Sequence, residues 1–160
     1  MRHCEKSVKK VARVLAVWLL STGASAQTCT VFSIADGDTI SVRCSTGGQV
    51  TIRISGIDAP EKRMPYGQRS KQALSTLCYL QQAGIRPKSE DRYGRVVADV
   101  QCQGRDVGAE QVRTGMAWVY DRYARGHGEL YPLQAAAKAA KLGLWADPDP
   151  TPPWEWRHAK

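Results

Sequence analysis

Residues 29–44 read CTVFSIADGDTISVRC and predict a β-hairpin with Asp36-Gly37 at its tip. The runs on either side are rich in residues that favour strands, and Asp-Gly is among the commonest hairpin tips. If the two strands pair antiparallel about this tip, residues whose numbers add up to 73 face each other. Cys29 and Cys44 are then opposite one another. The hairpin therefore predicts a disulfide between its strands.

The first 26 residues predict a secretory signal peptide rather than part of the fold. A basic opening leads into the apolar run VLAVWLL, and Ala24-Ser25-Ala26 fits an A-x-A cleavage site. Seven apolar residues are too few to span a bilayer. We therefore expect an exported protein, periplasmic or secreted, that begins near Gln27 and has no membrane span in its mature form.

Cysteine usage agrees with export. Four cysteines follow residue 26, at positions 29, 44, 78 and 102. An even number in a small exported domain indicates disulfides, and four cysteines allow three connectivities. With Cys29 and Cys44 paired across the hairpin, Cys78 and Cys102 pair by elimination. The chain has no CxxC and its three histidines are scattered, which disfavours a zinc site.

The predicted mature chain has about 134 residues, the size of one domain. Removal of five bases and one acid with the signal leaves 18 Lys and Arg against 14 Asp and Glu, so the net charge falls from +8 to +4. This mild surplus permits a polyanionic partner without requiring one.

Beyond the hairpin, the pattern continues through a third strand into a helix. STGG reverses the chain into QVTIRISGI (49–57), where Val50, Ile52 and Ile54 share one face. YGQRSKQALSTLCYLQQAG (66–84) has apolar residues at helical spacing and ends on Gly84, a suitable C-cap.

The remaining pattern predicts one more strand and two more helices. SEDRYGRVVADVQCQG (89–104) indicates a turn and a strand, and RDVGAEQVRTG (105–115) a short helix with Asp106 as N-cap. ELYPLQAAAKAAKLGLW (129–145) is a final Ala-rich helix, whereas the proline-rich residues 147–160 predict an extended tail with Trp154 or Trp156 against the surface. We predict an α+β domain over residues 27–146, a small antiparallel barrel of the OB type with helices on one side.

Three short motifs contain the candidate functional residues: DGDT (36–39), RISGIDAPE (53–61) and DRYGR (91–95). Each motif alone has a structural explanation, because turns favour Asp and Gly and most charged side chains are solvated. Their combination, order and spacing resemble the thermonuclease, or staphylococcal-nuclease-like, family. YGQRSKQAL, VRTGMAWVY and AAAKAAKLGLW are also similar to stretches of that family, so the resemblance covers residues 29 to 146.

The resemblance implies a five-stranded OB-type barrel with three helices and a Ca²⁺-dependent nuclease that cleaves DNA and RNA. It implies that Asp38 and Asp58 are carboxylate ligands of calcium, with the main-chain carbonyl of Ala59 as a third ligand and Asp36 in contact through water. The family usually has Thr at the position of Ala59. A carbonyl ligand survives that change, but a hydroxyl contribution does not.

By the same resemblance, Arg53 and Arg95 contact the reacting phosphate and Glu61 lies beside the attacking water. Physical chemistry favours these residue types. Calcium takes oxygen ligands in irregular geometry, and the planar fork of arginine matches phosphate oxygens. Preorganised cations stabilise the negative charge that develops on the phosphate, and a positioned base contributes about 10²–10⁴ in rate.

Substrate binding is expected from Tyr93, Tyr123 and Arg92, with single-stranded DNA or RNA preferred. Aromatic stacking and backbone charge are the usual basis of single-strand binding. For Tyr123, packing under a loop is the alternative. The four residues KRMP between Glu61 and Tyr66 form a shorter loop than in well-known members.

We expect a monomer. The alternative function is a catalytically silent nucleic-acid-binding module of the same fold.

Overall fold

A computed structural model describes residues 27–45 and 47–159. The predicted signal peptide, residues 1–26, lies outside the described residues.

The hairpin forms, but its turn is one residue longer than predicted. Strands β1 (Gln27–Ile34) and β2 (Thr39–Cys44) are antiparallel, and the Ala35 amide donates to the Thr39 carbonyl, so the turn is centred on Gly37. A β-bulge between Val31 and Ser33 then shifts the register by one residue. The two departures cancel, and Cys29 faces Cys44.

Both predicted disulfides are present. Cys29 is bonded to Cys44 across the hairpin, and Cys78 is bonded to Cys102. The second bond joins the end of the first helix to the last long strand of the barrel.

The sheet closes into a five-stranded barrel, which confirms the predicted OB-type α+β fold. Strands β3 (Gln49–Ile54), β5 (Gln82–Glu90) and β6 (Val96–Cys102) complete the order β3-β2-β1-β5-β6. The closing pair, β3 with β6, is parallel, while the other four pairs are antiparallel. Short strands lie at the margins: β4 (Ile57–Asp58) pairs with β8 (Trp118–Val119), and β7 (Arg105–Asp106) pairs antiparallel with the end of β6.

The first helix, α1, spans Gly67–Cys78 and is shorter than predicted. The proposed C-cap at Gly84 is wrong, because Gly84 lies within strand β5 opposite Thr28 and Gln101. Leu80 donates its amide to the Val31 carbonyl, so the chain leaves the helix early to pair with β1. Tertiary strand pairing overrides the local helical periodicity here.

Two further helices occur where they were expected. Helix α2 spans Val107–Arg113, and its N-cap Asp106 accepts a hydrogen bond from the Ala109 amide. Helix α3 spans Leu130–Ala139 and is followed by a 3₁₀ turn, Gly143–Ala146.

The tail contains a fourth helix, so its prediction as an extended segment is wrong. Helix α4 spans Pro153–His158, with a proline at its first position. Proline is tolerated there because the first amide of a helix needs no intrahelical partner. Trp154 packs against the surface as expected: its ring stacks on Tyr120 and meets the edge of Trp118.

The core fills the barrel and the space between the barrel and helices α1, α2 and α3. Its largest fully buried side chains include Ile40, Ile52, Ile54, Ile57, Leu74 and Leu130. Each such side chain contributes about 1.5–3 kcal/mol by leaving water. Within the described part of the chain, no helix is both long and apolar enough to cross a membrane.

Candidate active site

Arg53 lies at the centre of the site, and it is buried rather than solvated. It is 4% exposed and comes from strand β3. Its Nη1 donates to the carbonyls of Ile54 and Ile57 at 3.1 and 2.9 Å. Its Nη2 lies 3.0 Å from Asp58 Oδ1 and 3.5 Å from Asp38 Oδ2. The guanidinium therefore joins two carboxylates from separate elements.

The DGDT turn is held by the helices behind it. A side chain at Gly37 would collide with Ser70 of α1 and with Ala59, so only glycine fits this close approach. The Gly37 carbonyl accepts a hydrogen bond of 2.7 Å from the buried side chain of Gln111 in α2, which also bonds to Ser70. Packing and hydrogen bonding thus restrain the turn from which Asp36 and Asp38 project.

Asp38 is buried and contacts the segment that follows strand β3. Its Oδ2 accepts a hydrogen bond from the Ala59 amide at 2.9 Å, and its Oδ1 accepts one from the Thr39 hydroxyl at 2.9 Å. The Asp38 amide donates to Asp36 Oδ1 at 3.0 Å. These bonds bring the two aspartates of the turn beside Asp58-Ala59.

Glu61 is held by the short loop that follows it. Its amide donates to the sulfur of Met64 at 3.3 Å, and its carbonyl accepts from the Met64 amide. The same carbonyl lies so close to Gly67 that a β-carbon there would collide with it. The buried Met64 side chain and Gly67 thus restrain Glu61 at the entrance of helix α1.

Arg95 reaches the site from the turn between β5 and β6. Its Nε and Nη2 each lie 2.7 Å from Asp91 Oδ2, and its Nη1 lies 3.5 Å from the Thr39 hydroxyl. Burial alone would raise the pKa of Asp91, but hydrogen bonds from Arg95 and Tyr93 lower it. Asp91 is therefore a stable anion that orients the Arg95 side chain. It was not among the predicted site residues.

All the predicted catalytic and metal-binding residues line one cleft of about 820 Å³, together with Arg92, Tyr93 and Tyr123. A continuous series of contacts runs from Arg95 through Thr39, Asp38 and Arg53 to Asp58, and Arg157 then bridges Asp58 and Glu61.

Aromatic rings surround the cationic groups of this cleft. The Arg53 guanidinium lies 5.0 Å from the ring centre of Tyr123 and 5.8 Å from that of Tyr120. Arg92 and Arg95 lie 4.8 and 5.5 Å from the ring centre of Tyr93, which is largely exposed. An arginine over an aromatic face is a favourable arrangement, so the rings help to hold the guanidinium groups in the cleft.

Sequence reasoning missed the contribution of the tail. Trp154, Arg157 and His158 of α4 line the same cleft. Arg157 bonds to Asp58 and Glu61, which lie 99 and 96 residues away along the chain. No local pattern signals this contact, since it depends on where a two-turn helix docks.

Four acidic residues of the cleft, the acidic cluster Asp36, Asp38, Asp58 and Glu61, supply the oxygen donors that a hard cation prefers. Burial and the neighbouring Asp38 carboxylate raise the pKa of Asp36 to about 6. Burial also raises the pKa of Asp58, although hydrogen bonds from Arg157 oppose this. Crowded carboxylates that resist ionisation are the condition that a bound divalent cation relieves.

The cluster is not a dense cage of ligands. No three His, Cys, Asp or Glu side chains among residues 27–45 and 47–159 converge as a ready-made metal site. Two aspartates, a main-chain carbonyl and waters are sufficient for calcium, which accepts such mixed oxygen donors.

These features define a class: an OB-type barrel with a cleft in which buried carboxylates and arginines meet beside aromatic rings. Comparison with known proteins identifies the family. The profile of the staphylococcal nuclease homologue family matches residues 51–147. The chain belongs to this family.

Relatives across bacteria and plants carry nuclease names. An uncharacterized endonuclease of Haemophilus influenzae is 40% identical over 131 residues, which are 81% of this chain and 72% of that protein. A micrococcal nuclease of Shigella flexneri is 36% identical over 139 residues, 81% of this chain and 79% of that protein. A staphylococcal-like nuclease of Arabidopsis thaliana is 39% identical over 109 residues, 68% of this chain and 33% of that protein. Family and relatives support a nuclease, a hydrolase, as the general function.

Proposed function

We propose that the protein is a sugar-nonspecific nuclease that hydrolyses phosphodiester bonds of DNA and RNA with Ca²⁺ and leaves 3′-phosphate ends. The main support is the buried contact of Arg53 with both Asp38 and Asp58, because it draws carboxylates from two elements to one point of the cleft. Nuclease-named relatives of similar length add to this support.

In this proposal Asp38, Asp58 and the carbonyl of Ala59 ligate calcium, and Asp36 contacts it through water. The bound ion would supply Lewis-acid polarisation of the phosphate and neutralise its charge. Replacement of the family's Thr by Ala59 leaves the main-chain carbonyl and removes only a hydroxyl.

Arg53 and Arg95 bind the nonbridging oxygens of the reacting phosphate. Both guanidiniums are already held, Arg53 by main-chain carbonyls and Arg95 by Asp91, so little reorganisation accompanies the reaction. Glu61 orients or deprotonates the water that adds to phosphorus. The bond to the 5′ oxygen breaks, leaving a 3′-phosphate and a 5′-hydroxyl.

Single-stranded substrates suit this cleft. Tyr93 offers an exposed ring beside Arg92 and Arg95, and Tyr123 lies over Arg53. Unpaired bases stack on such rings without sequence preference, while arginines contact the backbone. Salt should weaken this binding strongly.

A catalytically silent nucleic-acid-binding module is the second candidate. The chain retains all five residues that separate the two functions, Asp38, Arg53, Asp58, Glu61 and Arg95. A pure binding function would require only the aromatic and basic surface, and it would leave the buried acids without a role. The enzyme is therefore the preferred proposal.

Export as a monomer to the periplasm or medium completes the proposal. The two disulfides support an oxidising location, where such bonds persist.

The central experiment is a digest of single-stranded DNA and of RNA by the mature protein with calcium, with magnesium and with a chelator. We expect cleavage with calcium, loss of cleavage with the chelator, and 3′-phosphate ends by end-group analysis. Binding without cleavage under every condition would instead establish the silent module.

A further inference from the structure

Arg157 makes its polar contacts with the two acidic residues that matter most to the proposed reaction. Its Nη2 lies 2.7 Å from Asp58 Oδ2, and its Nη1 lies 3.3 Å from Asp58 Oδ1. The same Nη1 lies 2.9 Å from Glu61 Oε1. One guanidinium thus covers both oxygens of a proposed metal ligand and one oxygen of the proposed base.

This arrangement cannot coexist with full use of the same oxygens by a divalent cation. Asp58 is 2% exposed, and its Oδ1 is already shared with Arg53. Arg157 itself lines the cleft and is partly exposed, so it occupies space that an ion or a substrate phosphate at Asp58 would need. Its charge also offsets part of the negative charge of the acidic cluster, which is the attraction that draws a cation in.

The attachment of Arg157 is of a kind that can be released. Its side chain is 40% exposed, whereas that of Arg53 is 5% exposed. It comes from the six-residue helix α4, which follows a proline-containing link, residues 147–152. Beyond these ion pairs, α4 packs through the buried Pro153 and through Trp154, whose ring meets those of Tyr120 and Trp118.

From these contacts we infer that helix α4 is an autoinhibitory element: Arg157 competes with divalent cations for Asp58 and Glu61, and its withdrawal completes the metal site. This inference rests on the proposed calcium site. Conversely, calcium binding should displace Arg157 and loosen α4, because linked equilibria act in both directions.

Direct calcium binding to the full mature chain, measured by calorimetry, tests the competition without using activity. If Arg157 is bound in about nine molecules of ten, its removal exposes the site fully and lowers the apparent Kd about tenfold. We therefore expect Arg157→Ala to bind calcium about tenfold more tightly than the wild type. Arg157→Lys keeps the positive charge but loses the planar guanidinium fork, so its calcium Kd should lie between those of the wild type and Arg157→Ala.

Arg122→Ala is the matched control. Arg122 lines the same cleft and carries the same charge, but its contact is with the ring of Tyr123 rather than with a carboxylate. Its loss should change the calcium Kd by less than about twofold, since solvent and salt screen exposed charges. An equal gain in calcium affinity in both variants would show that only the loss of a positive charge matters, and it would overturn the inference.

Hydrogen exchange of residues 153–159 provides a second measurement. Calcium should accelerate exchange of the α4 amides in the wild type, and in Arg157→Ala the exchange should be fast without calcium. Circular dichroism of each variant checks that the barrel remains folded.

The outcomes separate this inference from the proposed function. Tighter calcium binding by Arg157→Ala without nuclease activity in any variant would support autoinhibition of the metal site and refute the enzyme. An unchanged Kd with reduced turnover would overturn autoinhibition and assign Arg157 to phosphate binding. If no variant binds calcium, the metal site and the competition both fail. In that case, slow α4 exchange in Arg157→Ala would also refute the attachment of α4 by Arg157.

Discussion

Two arginines contact Asp58, and they belong to different parts of the molecule. Arg53 comes from a barrel strand and also donates to the carbonyls of Ile54 and Ile57. Arg157 comes from helix α4 near the end of the chain, and its guanidinium bonds to the carboxylates of Asp58 and Glu61. We call the contacts made by barrel residues such as Arg53 the barrel side of the site, and those made by α4 through Arg157 the tail side. On the inference above, the barrel side is permanent and the tail side is separable.

The difference shows that contact distance alone does not indicate function. Both arginines lie within 3.0 Å of a carboxylate oxygen. Removing a buried cation that is paired with buried carboxylates costs several kcal/mol, whereas a partly exposed ion pair contributes little. Four predictions test this contrast, from the largest expected effect to the smallest.

The largest effect is expected from Glu61 and Arg95, the residues of the barrel side that are proposed to act in catalysis. Glu61→Gln and Arg95→Ala should each reduce kcat on single-stranded DNA about 10²–10⁴-fold, because each removes a group used in the transition state. Circular dichroism should show an intact fold. Near-wild-type kcat in either variant would exclude that residue from its proposed role.

Stability should separate the two arginines. Arg53→Ala leaves Asp38 and Asp58 buried without their shared cation and should lower the free energy of unfolding by about 3–5 kcal/mol. Arg157→Ala removes a partly exposed pair and should cost less than about 1 kcal/mol. Urea unfolding of the metal-free proteins measures both, and equal losses would contradict the distinction between a permanent and a separable side.

The covalent bond of the hairpin belongs to the barrel side alone. Replacement of Cys29 and Cys44 by serine removes a disulfide between residues 15 positions apart in sequence. It should lower the free energy of unfolding by about 2–4 kcal/mol. Exchange of the α4 amides should stay at its wild-type rate under conditions where the barrel remains folded. Simultaneous loosening of α4 would show that the two regions are coupled.

The smallest effect concerns metal binding by the turn. Asp38→Ala removes one proposed calcium ligand and should raise the calcium Kd about tenfold or more, a change of about 1.4 kcal/mol. The comparison with Arg157→Ala is informative because the two variants should shift the Kd in opposite directions. A calcium titration identical to that of the wild type would contradict the assignment of Asp38.

Much of the fold could be predicted because its signals are local. The hairpin at Asp36-Gly37, the cap at Asp106 and the pairing of Cys29 with Cys44 all follow from neighbours in sequence. Strand β5 was missed because Gln82, Ala83 and Gly84 continue a helical pattern, and only pairing with β1 and β6 makes them a strand.

The candidate site divides in the same way. The motif residues Asp38, Asp58 and Arg53 could be identified from their order and spacing, and the structure places them in contact. Gln111 and Arg157 could not be identified from the sequence. Gln111 is a helical residue whose importance comes from burial against the turn, and Arg157 reaches the cleft only through the docking of α4.

The amino-acid sequence by itself determined the class of fold, the disulfide pairing and the residue types of the site, because these depend on periodicity, turn chemistry and short motifs. The tertiary structure decided which charges are buried and which groups share a carboxylate. Those features depend on distances between segments as far apart as Asp58 and Arg157, and such distances arise only when the chain packs.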